Sequence, residues 1–327
     1  MSSIPYSRFL FGRIPWYSIL IVTGMILAIL LACREERRTA LPKDTVIDLA
    51  LWLIPCGIIG ARIYYVVFAW DQFRDDLWSV FRIWEGDIAI YGGIIAGLLV
   101  LLIFCRVRRL PPLLLCDVIV PGLALAQSIG RWGNWFNIEA YGLAVTVPEL
   151  CFFPFALQVP ANGYAWHLAT FFYESLWDFL IFLFLIIAGR RLFLRQGDPF
   201  FFYVFLYASG RLVIEGLRLD SLYAASSVRI SQLLSVLLCA AVILRYILLL
   251  RKQRPLPASI RFCVLPAVLC FSAFAVLLTL PVRFLSSLNP VGTVILLSVY
   301  ALMMILCLFA VYRRLRAQEV RHADDKA

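Results

Sequence analysis

The chain has 327 residues, of which 63% are hydrophobic and only 15% charged, and its mean hydropathy is +0.89. These values exclude an ordinary soluble protein, because the apolar residues form runs of about twenty, the length that crosses a bilayer. The net charge of +10 would suggest nucleic-acid binding in a soluble protein. Here the basic residues lie mostly between apolar runs, so we predict contact with the lipid bilayer and not with nucleic acid.

The predicted fold is an all-α polytopic membrane protein with nine spans, seven in a core and two more at the C-terminus. Their approximate bounds are Trp16 to Ala32, Val46 to Ala69, Ile88 to Phe104, Pro112 to Ile129, Leu168 to Ala188, Phe200 to Leu217, Ile230 to Leu250, Phe262 to Val282 and Thr293 to Tyr312.

Basic residues predict the orientation of these spans. The segments after the odd-numbered spans hold 19 of the 30 Lys and Arg residues. Because cytoplasmic loops carry the excess of positive charge, we expect the N-terminus outside and the C-terminus in the cytoplasm. That orientation requires an odd number of spans, which nine satisfies, as would seven without the last pair.

The nine cysteines form no CxxC pair, and eight lie in or beside apolar spans. Cysteine in such places behaves as a small hydrophobic residue, so we predict neither a disulfide nor a metal site. The segment from Leu30 to Cys33 resembles the end of a lipoprotein signal peptide. Because the basic stretch REERR follows it, we predict an uncleaved first span.

A change of composition near residues 251–257 divides the chain. Polar and charged residues occur within the spans before this point and hardly at all in the last two spans. We therefore predict that the chemistry lies in a core of residues 1–250 and that residues 251–327 form an extension with two further spans and a basic tail. The apolar character of the last two spans fits packing, oligomerisation or a partner helix, and truncation after Arg254 is expected to leave the chemistry intact.

Spans two and three contain the first unusual residues. Arg62 is a charge inside an apolar run and requires a partner there. Span three opens with Tyr91, followed by Gly92, Gly93 and Gly97. The glycines allow close packing of helices or close approach of a lipid to the backbone, and the sequence leaves both open.

The stretch GRWGNWFNIEAYG, from Gly130 to Gly142, puts several polar groups beside membrane-length apolar runs. Arg131 and Asn134 are three residues apart and share a face of a helix, while Glu139 lies at the water interface. One interpretation is a capped helix end from which Arg131 reaches outward to water. The other is a functional site.

Span five begins near His167 and contains Glu174, with Asp178 one turn further along the helix. His167 could be an interface anchor or a substrate-binding residue, and either role suits a histidine at the membrane boundary.

Span six carries a polar stripe. At about 100° per residue, Tyr207, Arg211, Glu215 and Arg218 fall within less than a quarter of the helix circumference. The stripe could be a structural ladder of ion pairs. Alternatively, two arginines against one carboxylate leave a positive excess that attracts an anion, and Arg131 adds a third arginine for gripping a lipid phosphate.

These stretches, in this order, resemble the prolipoprotein diacylglyceryl transferases of bacterial inner membranes. The resemblance covers about residues 14–250, and the pattern GRxGNxxNxExYG is its most specific part. The stretches concerned are IPWYS, DLALWLIPCGIIGARIYYVVF, IWEGDIAIYGG, PGLALAQSIGRWGNWFNIEAYG, HLATFFYESLW, YASGRLVIEGLRLDS and VRISQLLSVLL.

The resemblance implies a seven-span multi-pass protein of the inner membrane whose substrates are phosphatidylglycerol and the lipobox peptides of preprolipoproteins. It implies that Arg131, Arg211 and Glu215 are catalytic, and Tyr91 is a further candidate because some relatives have a histidine at that position. The candidate substrate-binding residues are Arg131, Asn134, Asn137, Glu139, Gly142, Tyr17, Tyr207, Arg218, Gly92, Gly93, Arg62, His167 and Glu174.

The implied reaction is attack by a cysteine thiolate on the glyceryl carbon of the lipid. A free thiol has a pKa of about 8.5 and is only partly ionised at neutral pH, so a base or a positive field is required. Glu215, Tyr91 and the lipid phosphate itself all remain candidates for the proton acceptor. The sequence has no metal motif or nucleotide loop, and we expect no cofactor.

Two other functions are open to a protein with charges inside its spans. A transporter is one, although we find neither the interrupted helices nor the inverted repeats that this class predicts. The other is a catalytically silent relative that binds lipid.

Overall fold

The computed structural model describes residues 8–83, 86, 88–160, 163–193, 195–219, 223–225, 228–253 and 290–324. Within these residues, six helices are long and apolar enough to cross a membrane. This confirms a polytopic membrane protein of helices. The helices over the predicted sixth and ninth spans are not among the six, and the predicted eighth span lies outside the described residues.

Helices alternate with short antiparallel hairpins along the described chain. The helices are α1 (Trp16–Glu36), α2 (Thr45–Phe68), α3 (Ile90–Arg108), α4 (Pro112–Asn137), α5 (Thr170–Leu183, continued by a π-helical turn over Phe184–Ala188), α6 (Gly189–Leu192), α7 (Asp198–Glu215), α8 (Ile230–Gln253) and α9 (Pro290–Asp324). The strands are β1 (Phe9–Leu10), β2 (Ile14–Pro15), β3 (Ala156–Val159), β4 (Ala165–Leu168), β5 (Tyr223–Ala225) and β6 (Val228–Arg229), paired as β1–β2, β3–β4 and β5–β6.

The chain divides into a smaller unit, residues 26–122, and a larger unit, residues 1–25 and 123–327. In the smaller unit, α2 and α3 pack backbone to backbone. A Cβ atom on Gly92 would lie 2.3 Å from the carbonyl oxygen of Gly60, and one on Gly60 would lie 2.3 Å from the Cβ of Ala96. Only glycine permits this approach, so these residues serve close helix packing.

In the larger unit, α7 packs against α5, α8 and α9. The core between α7, α8 and α9 consists of aromatic and aliphatic side chains, including Phe202, Phe205, Tyr246, Leu308 and Tyr312. The extension therefore contributes a helix to the packing around α7, which the change of composition at residues 251–257 did not predict.

The extension also supplies a polar contact to the start of α7. Asp198 is fully buried there and accepts hydrogen bonds from the hydroxyl groups of Tyr246 on α8, at 2.9 Å, and Tyr312 on α9, at 2.8 Å. Arg245 lies 3.8 Å from the same carboxylate. Because a buried carboxylate needs compensating donors, these bonds fix α9 against α7.

We predict that Tyr312→Phe destabilises the fold by about 1.5–3 kcal/mol, the usual contribution of a hydrogen bond to a charged group. Thermal unfolding in detergent measures the loss, with Met303→Leu as the matched control because Met303 is exposed on the same helix. Equal melting temperatures for the two variants would contradict the role of the Tyr312 hydroxyl.

Candidate active site

The first half of the GRWGNWFNIEAYG stretch forms the end of α4. A Cβ atom on Gly133 would lie 2.4 Å from the ring of Tyr17, and one on Gly130 would lie 3.1 Å from Ile21. The two glycines thus let α1 approach α4 closely. They place Tyr17, a predicted site residue, beside the helical turn that carries Arg131.

Hydrogen bonds between helices fix α4, α5 and α7 side by side. Ser128 on α4 and Ser175 on α5 exchange hydroxyl-to-carbonyl bonds of 2.9 and 2.8 Å. Tyr203 on α7 donates to Gln127 on α4 at 2.8 Å, and Trp177 on α5 donates to the carbonyl of Leu206 at 2.9 Å. Such bonds are an effective means of associating helices in lipid, where the hydrophobic effect between helices is absent.

Three arginines from different parts of the chain meet at Glu174 on α5. One carboxylate oxygen contacts Arg211 and lies 3.3 Å from Arg218, while the other lies 2.9 Å from Arg131. Glu174 is only 4% exposed. It is therefore the shared partner of Arg131, Arg211 and Arg218.

Further contacts complete what we term the charged cluster: Arg131, Arg211, Arg218, Glu174, Asp178 and Glu215. Arg211 lies 2.7 Å from Glu215, one turn along α7, as the spacing predicts. Asp178 lies 3.9 Å from Nε of Arg131. Three arginines thus meet three carboxylates. The predicted positive excess was wrong, because it counted one helix and omitted the carboxylates of α5.

A cavity opens beside the charged cluster. Tyr207 lines it and accepts a hydrogen bond of 3.3 Å from Arg131. Arg131 therefore points into the site with its side chain 22% exposed, which disfavours the interpretation that it reaches outward to water. The remaining lining residues are Glu174, Trp177, Asp178, Arg211 and Ile214.

Arg218 differs from the prediction, because α7 ends at Glu215 and Arg218 follows in a loop. It reaches Glu174 from there and forms an isolated β-bridge with Gly142. A Cβ atom on Gly142 would lie 2.8 Å from the carbonyl oxygen of Leu217. Gly142 therefore allows the two loops to pair, which holds Arg218 in place.

His167 supports the same loop. It lies on β4, is 5% exposed, and its Nδ1 is 2.8 Å from the carbonyl oxygen of Gly142. Tyr141 packs edge-on against its ring. These contacts favour a structural role for His167 behind the cluster, and its binding of substrate stays a prediction.

The polar residues that end the GRWGNWFNIEAYG stretch lie beyond Arg131. Asn134 and Asn137 are half-buried at the end of α4, and Glu139 is exposed in the following loop. Among the residues that the structure describes, their side chains make no hydrogen bond with the protein. They remain available for a ligand at this end of the helix.

Four predicted site residues lie in the smaller unit. Arg62 is 4% exposed and donates to the carbonyls of Ser79, Val80 and Gly86, at 2.6, 3.0 and 3.0 Å. The buried charge thus holds the loop after α2, which favours a structural role for Arg62, and its binding of substrate stays a prediction. Gly92 serves the helix packing described above, whereas a Cβ atom on its neighbour Gly93 would make only ordinary contacts. Tyr91 begins α3 and is half-buried.

Trp177 and Asp178 were not among the predicted site residues. Both follow Glu174 by about one helical turn, and this spacing could have indicated them.

We predict that Gly210→Ala displaces Trp177, because a Cβ atom on residue 210 would lie 2.1 Å from Nε1 of Trp177. Overpacking of this kind costs about 1–3 kcal/mol. Thermal unfolding should show the loss, whereas Gly97→Ala, with nothing within 4 Å of its Cβ, should not; equal stability of the two variants would contradict this packing.

Comparison with known proteins places most of the chain in one family. A family model described as prolipoprotein diacylglyceryl transferase matches residues 8–248. A phosphatidylglycerol–prolipoprotein diacylglyceryl transferase of Streptococcus mutans is 48% identical over 244 residues, which is 74% of this chain and 92% of the relative. Enzymes of the same name from Lactobacillus gasseri and Enterococcus faecalis are both 43% identical, covering 72% and 75% of this chain and 86% and 90% of the relatives.

Proposed function

The chain belongs to the prolipoprotein diacylglyceryl transferase family, and from this and the charged cluster we infer its reaction. It is a membrane transferase of bacterial lipoprotein biosynthesis. It moves the diacylglyceryl group of phosphatidylglycerol to the cysteine thiol of a prolipoprotein and releases glycerol phosphate. We propose that the thiol is presented within a lipobox peptide and that the enzyme lies in the bacterial inner membrane.

The observation that carries this proposal is the meeting of Arg131 and Arg211 at one carboxylate beside a cavity. A lipid phosphate presents oxygens much as a carboxylate does, and guanidinium groups bind both through paired hydrogen bonds. We propose that the phosphate takes over part of the contacts that Glu174 now makes with these arginines. Tyr207 adds a hydroxyl group at the same wall of the cavity.

The arginines also suit the chemical step. The thiolate attacks the glyceryl carbon, the bond from that carbon to the phosphate oxygen breaks, and negative charge builds on the departing glycerol phosphate. Positioned cations in a site of low dielectric stabilise such charge by several kcal/mol. We propose this role for Arg131 and Arg211, with Glu215 orienting Arg211 through their 2.7 Å contact.

The other predicted residues receive supporting roles in this proposal. Arg218 adds positive charge from its loop, and Glu174 holds all three arginines in the absence of lipid. At the end of α4, beyond Arg131, three polar side chains contact the glycerol head group or the peptide: Asn134, Asn137 and Glu139. Tyr17 packs beside the turn that carries Arg131, and Gly142 and His167 support the loop of Arg218. A part for Tyr91 and Gly93 of the smaller unit stays a prediction.

We further propose the predicted topology of nine spans, with the N-terminus outside and the C-terminus in the cytoplasm. Residues 1–250 then contain the chemistry. Residues 251–327 form an extension that holds α7 through Tyr312 and Asp198. A protein truncated after Arg254 is expected to be less stable while its folded molecules still carry out transfer.

Purified protein, phosphatidylglycerol labelled in its acyl chains and a lipobox peptide test the function. Label should appear on the cysteine peptide and not on a matched peptide with serine in place of cysteine. Lipid binding without labelling of the peptide would contradict the transferase and favour a silent lipid-binding relative. Movement of lipid or solute across vesicles without labelling would favour a transporter.

A further inference from the structure

Asp178 is the least paired carboxylate of the charged cluster. It is 2% exposed, and within the part of the chain that the structure describes, one arginine nitrogen lies within 4.0 Å of it, Nε of Arg131 at 3.9 Å. Among the described residues, its Oδ2 has no hydrogen-bond partner; Oε2 of Glu174 has none either, but that oxygen lies only 2.9 Å from a nitrogen of Arg131. A buried carboxylate without a donor is costly, and such groups inside a membrane protein commonly mark function.

The other two carboxylates are occupied. Both oxygens of Glu174 contact arginines, and Glu215 contacts Arg211 at 2.7 Å. A carboxylate held by arginines is a poor proton acceptor, because their positive charge stabilises its ionised form. Asp178 is placed differently. It lines the same cavity as Arg131, Tyr207 and Arg211, but its arginine contact, with Arg131, is 3.9 Å long.

The balance of charges in the cluster favours a proton acceptor at Asp178 once the lipid phosphate has entered. Three arginines and three carboxylates balance before the lipid enters. The phosphate of phosphatidylglycerol brings one further negative charge into a site of low dielectric. Protonation of one carboxylate restores the balance, and the carboxylate with the weakest arginine contact takes the proton at the lowest cost.

We propose that Asp178 accepts the proton of the substrate thiol. This inference rests on the proposed function. The S–H proton moves to the Asp178 carboxylate as sulfur forms its bond to the glyceryl carbon. The bond from that carbon to the phosphate oxygen breaks, and its electron pair leaves with glycerol phosphate. The proton then passes to that phosphate or to water, which returns Asp178 to its ionised form.

A lipobox peptide with selenocysteine in place of cysteine separates this role from a structural one. A selenol is more acidic than a thiol and is already ionised at neutral pH, so it does not need a base. With the thiol peptide, Asp178→Asn should slow transfer by about 100-fold, the lower range for loss of a general base. With the selenol peptide, the same variant should retain transfer within about 5-fold of the intact chain, because an ionised selenol has no proton to give to Asp178.

Controls keep the outcome decisive. Asp71→Asn, at an exposed carboxylate of the smaller unit, should transfer to both peptides at the rate of the intact chain. Asp178→Ser serves as a second variant, because it leaves room for water if the asparagine variant does not fold. An equal loss with both peptides would overturn the proposal and give Asp178 a structural role, as would normal transfer to the thiol. Failure of the intact chain with both peptides would instead count against the proposed function.

Discussion

Glu174→Gln should abolish most transfer activity and destabilise the protein. The substitution keeps the shape of the side chain but removes the one charge that Arg131, Arg211 and Arg218 share. Breaking a buried ion pair by removing one partner costs about 3–5 kcal/mol, because the remaining charge is left uncompensated. Misplacement of the arginines should lower the rate of transfer by at least about 100-fold.

Two measurements check this expectation, thermal unfolding in detergent and label transfer with saturating lipid. Asp48→Asn is the matched control, because Asp48 pairs with Arg108 at 2.7 Å in an exposed position. Exposed pairs contribute at most about 1 kcal/mol. Phosphatidylglycerol should stabilise the Glu174→Gln variant more than it stabilises the intact chain, because its phosphate supplies the missing charge. A variant as stable and as active as the control would refute the central position of Glu174.

Arg211→Lys should reduce transfer by about 100-fold to 1,000-fold although it preserves the charge. The two terminal nitrogens of Arg211 contact different carboxylates, Glu174 and Glu215, and this planar fork also suits a phosphate. A lysine ammonium is a single point charge and cannot bridge the same partners. Loss of one positioned donor in a site that stabilises developing charge typically has an effect of this size.

The comparison variant is Arg245→Lys, on α8 of the same unit. Arg245 lies over the ring of Phe201 and 3.8 Å from Asp198, away from the cavity. Its replacement should leave at least about half of the transfer rate, because a lysine keeps the positive charge near Asp198 and Arg245 does not line the cavity. Equal rates for the two lysine variants would mean that Arg211 contributes only its charge.

The sequence predicted those features of the site that depend on spacing within one helix. The contact between Arg211 and Glu215 follows from their separation of four residues, and the structure confirms it. The direction of Arg131 was left open between the water interface and a site. Its partners on α5 and α7 decide this question, and periodicity within α4 contains no information about them.

Contacts between elements account for the predictions that were wrong or incomplete. The excess positive charge disappears once Glu174 and Asp178 on α5 join the cluster. Arg62 uses backbone carbonyls as partners, and such partners leave no signal in a sequence. Arg218 contacts Glu174 on α5, which the stripe did not predict, and it does so from a loop that pairs with Gly142 three residues beyond the end of α7.

The extension, too, makes contacts with other helices that its own sequence did not reveal. Its low content of charged residues predicted an appendage suited to packing, oligomerisation or a partner helix, and α9 does lie outside the residues that the family model matches. However, Tyr312 on α9 bonds to Asp198 at the start of α7, the helix that also carries Tyr207 and Arg211. A single hydroxyl group in an apolar helix was not recognisable as a contact to the core.

The most direct test of the account uses phosphatidylglycerol that carries one isotope in its acyl chains and another in its head-group glycerol. After a single turnover with the intact chain and a lipobox peptide, the acyl label should be on the peptide thiol. The head-group label should be released as glycerol phosphate in equal amount, because the bond that breaks joins the glyceryl carbon to the phosphate oxygen. Acyl label on the peptide with a lysolipid as the second product, or release of glycerol phosphate without labelled peptide, would contradict diacylglyceryl transfer.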